Sequence, residues 1–419
     1  MSLKGRGAGS LYAALLVDAV GSGLFLPVSL LYFTRVSGIG LATVGLLISV
    51  ATVLTLPLPL VAGHLVDRFG SRNVVLGAQL VQAVGFFVYL VVSGPATMMI
   101  AALVVAAGQR TFWSSVFTLV ADLADRDGSG DDGRGHDRWF AVVGMVQAAG
   151  YGVGGLLTGW LLTIGTVHIY RTLAVANAAS FLCSALLLAL FARGIGPAKH
   201  GENAGTAPGG GYRALLRDRP YLGLILTNTV FALCSVFFGT ALPVYLVDGL
   251  PAPKWLIGVL LAVNTVLLAV SQALVARTMR PLTRVRALVI AGGLWTVWCV
   301  GSALAVRLPA GVLVPYLIVV TLFYTMAELI HAPISNALAA AAAPPELRGR
   351  YLAAFQYCFT VATIIAPGLF GVLFTHGRTL PWLAVGVLIV LGTIGMATLE
   401  RRLPESAVRG EPRPAEVVG

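Results

Sequence analysis

An all-α membrane protein, with twelve transmembrane helices in two pseudo-symmetric six-helix bundles, is predicted by three observations. Of 419 residues, 58% are hydrophobic and only 11% are charged, against about 25% charged in ordinary soluble domains. Apolar runs of the roughly 20 residues needed to cross hydrocarbon as a helix occur twelve times. The chain also repeats itself at an offset near 212 residues, as membrane proteins built from parallel repeats do.

The first six runs fall near 8–34, 41–63, 73–93, 97–121, 139–164 and 169–192. The first follows Lys4 and Arg6 and carries Asp18 in its middle. It is far longer than the 7 to 15 apolar residues of a cleaved signal peptide, so it reads as a span. A Gly-, Pro- and charge-rich stretch then breaks the pattern and reads as a linker, residues 195–218. The second six runs fall near 220–247, 255–276, 286–306, 311–341, 351–375 and 380–399. The bundles are thus expected at 1–194 and 219–403, with a tail at 404–419.

Basic residues in short loops stay cytoplasmic. With both termini inside, inner segments hold 22 of 28 Lys and Arg, while outer loops hold Arg35, Arg171, Lys254, Arg307 and Arg378. A multi-pass plasma-membrane protein with cytoplasmic termini is therefore expected. The net charge of +11 then reflects topology and contact with anionic lipid, not nucleic acid. Cys183, Cys234, Cys299 and Cys358 all lie in apolar runs without CxxC spacing, and read as packing residues with no disulfide or metal role. The absence of a P-loop, HExxH or GxSxG pattern argues against an enzyme, and no cofactor is expected.

The repeat shows in RWFAVVG from Arg138 against RYLAAFQ from Arg350, and in VGLLISVAT from Val44 against IGVLLAVNT from Ile257. Leu26-Pro27-Val28 likewise matches Leu242-Pro243-Val244.

Between the second and third runs, Gly63 to Arg72 reads GHLVDRFGSR and fits GxxxDRxGxR. Gly63 and Gly70 are expected to permit a sharp turn and close helix approach, with Asp67 near a helix end and Arg68 and Arg72 around it. This resembles the best-known signature of the Major Facilitator Superfamily, in the loop joining spans two and three. The repeat counterpart, Ala276 to Arg286, keeps its basic residues Arg277, Arg280, Arg284 and Arg286 but loses the acid and glycines. Asp67, Arg68 and Arg72 are expected to form an inner-face latch. The fifth span resembles the family's antiporter signature GxxxGPxxGG through Gly150, Gly154, Gly155, Thr158 and Gly159, with Gly155 in place of proline and Thr158 in place of a glycine. Its repeat mate retains Pro367. Small residues at every fourth position also serve simple helix packing.

A charge at the bilayer centre costs at least about 2.5 kcal/mol, so such residues face a cavity and pair. Asp18, Arg110 and Glu328 are the three mid-span charges. They fall in spans one, four and ten, with Asn228 in span seven. Those four spans line the central cavity in the superfamily. An arginine in span four resembles a signature linked to proton transfer, and an acid in span one is similar to a frequent feature of multidrug:proton antiporters. The resemblance implies Asp18 as proton acceptor, reset by Arg110, with Glu328 contributing to coupling, to a structural pair or to a substrate cation. A nearby guanidinium stabilises a carboxylate and burial opposes it, so a changing distance would change proton affinity. A static pair is the alternative.

Trp113, Gln147, Tyr151, Asn228, Tyr324, His331 and Gln356 are candidates to line a substrate chamber, since pockets are mostly apolar with a few polar groups. The resemblance implies a monomer that moves a small molecule, with H⁺ as coupling ion; one carboxylate does not by itself distinguish H⁺ from Na⁺. Export of an apolar or cationic compound is the first expectation. Proton-linked uptake of a metabolite and a non-transporting sensor are the alternatives.

Overall fold

A computed structural model describes residues 3–126, 134–164, 166–191, 211–279, 281–344 and 347–409. The expected linker lies outside them as far as residue 210, as do Arg280 and the tail beyond Arg409. The described residues are helical almost throughout. In chain order the helices are α1 (Leu3–Phe25), α2 (Ser29–Val36), α3 (Leu41–Leu54), α4 (Leu58–Phe69), α5 (Ser71–Tyr89), α6 (Pro95–Arg126), α7 (Arg134–Leu161) and α8 (Val167–Phe191). There follow α9 (Gly211–Arg217), α10 (Arg219–Val244), α11 (Leu256–Met279), α12 (Arg284–Leu304), α13 (Ala310–Ala342), α14 (Arg348–His376), α15 (Leu380–Leu399) and α16 (Glu405–Arg409).

Among the described residues, nine helices are long and apolar enough to cross a membrane, and Leu41–Leu54 and Leu256–Gln272 form shorter apolar helices. The sequence predicts twelve runs, and the shortfall has local causes. The second run is two helices, because Pro57 follows Thr55-Leu56 and cannot donate into the helix ladder. The third run forms α5, which carries the polar residues Arg72, Asn73, Gln79 and Gln82. Large aliphatic and aromatic side chains cover the outside, with Val91, Leu226 and Val270 each about 70% exposed. Such a surface is stable against lipid and not against water.

Two compact units divide the chain. Unit 1 comprises Met1–Ala204, Leu242–Asp248 and Pro253–Thr265, so it includes the end of α10 and the first part of α11. Unit 2 comprises Gly205–Ala241, Gly249–Ala252 and Val266–Gly419. The core of unit 1 packs Leu11 and Leu15 of α1 against Val75 of α5, Phe112, Val116 and Leu119 of α6, Val143 of α7 and Leu188 of α8. That of unit 2 is aromatic: Trp298 meets Trp382 edge-on at 5.2 Å, and Phe237 touches Phe370 at 5.6 Å.

Prolines mark the breaks. Pro27 lies in a 3-10 turn, Leu26–Val28, between α1 and α2. Its repeat mate Pro243 precedes a π-helical segment, Tyr245–Gly249. The matching positions thus interrupt both helices, one by tightening and one by widening. Two helix starts carry side-chain caps: Thr283 accepts from the Arg286 amide at 3.2 Å, and Asp218 from the Tyr221 amide at 3.1 Å.

Candidate functional site

Asp18 sits on α1 and is 4% exposed. The hydrogen bond on its carboxylate comes from Gln79 of α5, whose Nε2 lies 3.2 Å from Oδ1. The same amide nitrogen reaches Ser184 Oγ of α8 at 3.1 Å. Gln79 and Ser184 are fully buried, and Gln79 Oε1 has no partner among the described residues. Three helices are thereby joined through one side chain. Arg110 is half-buried on α6, where its carbonyl accepts the Ser114 hydroxyl at 2.7 Å.

Roughly one turn along each helix from this cluster lies a cavity of about 220 Å³, walled by residues of unit 1 alone. Ser22, Phe25, Leu26, Ser29 and Phe33 line it from the broken α1–α2 rod, and Ile48, Ala51 and Thr52 from α3. Gln82, Phe86 and Tyr89 come from α5, Gln109 from α6, Tyr151 from α7, and Asn177 and Phe181 from α8. Phe25 meets Phe86 edge-on at 4.7 Å, and Phe33 meets Tyr89 at 4.8 Å. Tyr151 joins Ser22 by a side-chain hydrogen bond.

The glycines of α7 work on two faces. A Cβ at Gly150 or Gly154 would strike Ala19 or the Val20 carbonyl of α1. One at Gly155 would touch Leu261, and one at Gly159 would lie 2.5 Å from the Gly258 backbone, both on the part of α11 that belongs to unit 1. Thr158, where the family pattern has glycine, donates to the Leu24 carbonyl at 2.6 Å. That carbonyl stands beside the 3-10 break, so the departure from the pattern serves a hydrogen bond the break requires. Pro367 is buried inside α14.

In the GxxxDRxGxR segment, Gly70 has φ +82° and joins α4 to α5, a conformation that favours glycine. Gly63 is different. It lies within α4 with nothing within 4 Å of a Cβ, so it provides neither a turn nor a close approach, correcting the expectation from sequence. Arg72 donates to the carbonyls of Leu188 and Ala189, at 3.3 and 2.8 Å, satisfying the end of α8. Asp67 and Arg68 are exposed, and the Arg68 guanidinium lies over Phe69 at 5.3 Å.

The remaining candidates lie apart from the cavity. In unit 2, His331 Nε2 is 2.8 Å from Asn228 Oδ1 and is packed between Trp295 and Phe231, at 5.0 and 5.6 Å. Tyr324 stacks on Phe238 at 4.1 Å and donates to the Ser235 carbonyl. Asn228, Tyr324 and His331 are all nearly or fully buried in that aromatic core. Glu328, half-buried, lies within hydrogen-bond reach of the Tyr324 hydroxyl. Gln356 is exposed and donates to Asn336 at 3.3 Å. Trp113 packs on the core of unit 1 beside Phe112, and Gln147 is 9% exposed. Of the seven predicted chamber residues, only Tyr151 lines the cavity.

A polytopic helical bundle with a buried acid and an internal cavity defines a membrane transport protein. The chain belongs to the Major Facilitator Superfamily, whose profile matches residues 11–367. As a member of that family it is a transporter and not an enzyme. It is 26% identical over 399 residues to the multidrug resistance protein MdtH of Klebsiella pneumoniae (strain 342), covering 92% of this chain and 91% of the relative. To MdtH of Escherichia coli (strain SE11) it is 24% identical over 386 residues, covering 89% and 90%. The fold matches that of the nucleoside transporter NupG with a TM-score of 0.76 at 13% identity, over 95% of this chain and 99% of the other. A POT family transporter in complex with 5-aminolevulinic acid matches at 0.74 and 13%, over 95% and 96%.

Proposed function

We propose that the chain is a secondary active transporter that couples proton movement to export of a small apolar or cationic compound by alternating access. In this reading twelve spans form two six-helix bundles, residues 1–194 and 219–403, joined by the linker 195–218 and followed by the tail 404–419. Access alternates by rigid rocking of the bundles. The protein acts as a monomer in the plasma membrane with both termini cytoplasmic.

The observation that carries this reading is Asp18, an acid 4% exposed and hydrogen-bonded by a neutral amide. An ionised group so placed is costly, and intramembrane acids mark ion pathways. Taking up a proton removes that cost and biases the bundle toward another conformation. Arg110 and Glu328 are assigned to the same coupling, and Asp67, Arg68 and Arg72 to a latch. The chain's similarity to multidrug resistance proteins supports export. In inverted vesicles with an imposed pH gradient, Asp18→Asn is expected to abolish gradient-driven accumulation at near-normal protein abundance. Accumulation equal to the parent would refute the assignment.

Proton-linked uptake of a metabolite is the second reading. Solved relatives named as a nucleoside transporter and as proton dependent oligopeptide transporters favour a metabolite substrate, and Gly155 in place of the antiporter proline weakens the case for antiport. Accumulation in right-side-out vesicles, acid outside, would establish uptake; accumulation in inverted vesicles, acid inside, would establish export.

A further inference from the structure

We propose that the cavity inside unit 1 is a solute-binding site, and that it takes an uncharged aromatic compound bearing amide or hydroxyl groups. The inference rests on the transporter reading and narrows its substrate class. The cavity's volume of about 220 Å³ lies just below the ~300 to 1,000 Å³ of drug-sized pockets, which restricts the solute to a small one.

Charge decides the class. No Asp, Glu, Lys or Arg is among the lining residues. Asp18 stands one turn away from Ser22 but lies behind the wall, held by Gln79. A cation or anion entering this space would lose water without gaining a partner, which costs far more than moving a neutral group. Aromatic rings can hold a cation on an open face, but here four of the lining rings are turned on one another. Phe25 and Phe86 cross at 89°, and Phe33 and Tyr89 at 68°. In that edge-to-face geometry one ring's edge covers the other's face, leaving rims and gaps suited to a flat apolar body.

Three neutral amides supply recognition: Gln82, Gln109 and Asn177. Each carries both donors and an acceptor, so together they read a hydroxyl or amide in either orientation. Gln82 donates a long 3.5 Å bond to the Ala78 carbonyl, which a ligand acceptor can displace. The neighbouring serine and threonine hydroxyls are already used, Ser29 on Leu26 and Thr52 on Ile48.

The test uses the full-length purified protein and tritiated N-benzoyltyramine, an uncharged aryl amide with one hydroxyl, in a scintillation-proximity binding assay. Tetraphenylphosphonium and benzoate serve as cationic and anionic competitors. Saturable binding is expected, with neither ion competing at tenfold excess. Gln82→Leu and Asn177→Leu are each expected to weaken binding about tenfold, and Ala51→Phe, which fills the space, to abolish it. Absence of saturable probe binding up to millimolar concentration would overturn the proposal. So would competition by tetraphenylphosphonium, or unchanged binding in the two amide variants. If Ala51→Phe fails to fold, the amide variants decide. Because binding needs no pH gradient, failure here leaves the proton-coupling assignment standing, and transport that ignores the gradient leaves the cavity standing.

Discussion

Gln79 joins Asp18 to Ser184 through one nitrogen while its own carbonyl oxygen goes unpaired. Hydrogen bonds to charged groups contribute about 1.5 to 3 kcal/mol, so Gln79→Leu should destabilise the protein by roughly that amount. With Asp18→Asn the carboxylate is gone, and adding Gln79→Leu should then cost less. A double-mutant cycle read by thermal unfolding should give a coupling energy of about 0.5 to 3 kcal/mol, as for residues in one network. Additive effects would show that the amide does not support Asp18. Asp18 was legible in the sequence because an acid within an apolar run has few explanations. Gln79 was not, since its role depends on residues 61 and 105 positions away in the chain. Its one local signal is the pair Gln79 and Gln82, three residues apart on a helix between apolar neighbours.

At the scale of elements, α7 and α4 hold glycines of opposite character. Gly154→Ala pushes a methyl into the Val20 carbonyl, and overpacking of this kind costs about 1 to 3 kcal/mol. Gly63→Ala meets open space within a helix, where alanine is favoured by roughly 0.5 to 1 kcal/mol. The two substitutions should move the unfolding temperature in opposite directions, and a loss at Gly63 would reveal a contact made in another conformation. The sequence motifs mark all of these glycines without separating them. Pattern reports spacing, whereas close approach is a property of the facing helix, here α1 and α11. Breaks were more legible: Pro27 and Pro243 align in the repeat and both interrupt helices. The break at Pro57 was hidden inside a run whose hydrophobicity never falls.

For the molecule as a whole, the membrane class followed directly from composition, while the cavity did not. Most of the chamber residues the sequence predicts lie on spans four, seven and ten, whereas Gln82, Phe86 and Tyr89 of α5 and Asn177 and Phe181 of α8 wall the cavity. Aromatics on those helices look like packing until the space between them is seen. The exposed Asp67 belongs to this scale because a latch acts only when large parts move. Asp67→Ala is expected to slow turnover several-fold while leaving substrate affinity nearly unchanged, measured as kcat and KM in vesicles; an affinity loss alone would refute the latch. The unequal interruptions at Pro27 and Pro243 bear on ancestry as well. A 3-10 turn advances about 2.0 Å per residue against 1.5 Å in an α-helix, whereas a π turn advances less, so the duplicated rods no longer keep the same axial register past their prolines. The two sequence-matched segments are therefore not interchangeable parts, and grafting one rod tip in place of the other would misalign every side chain beyond the graft.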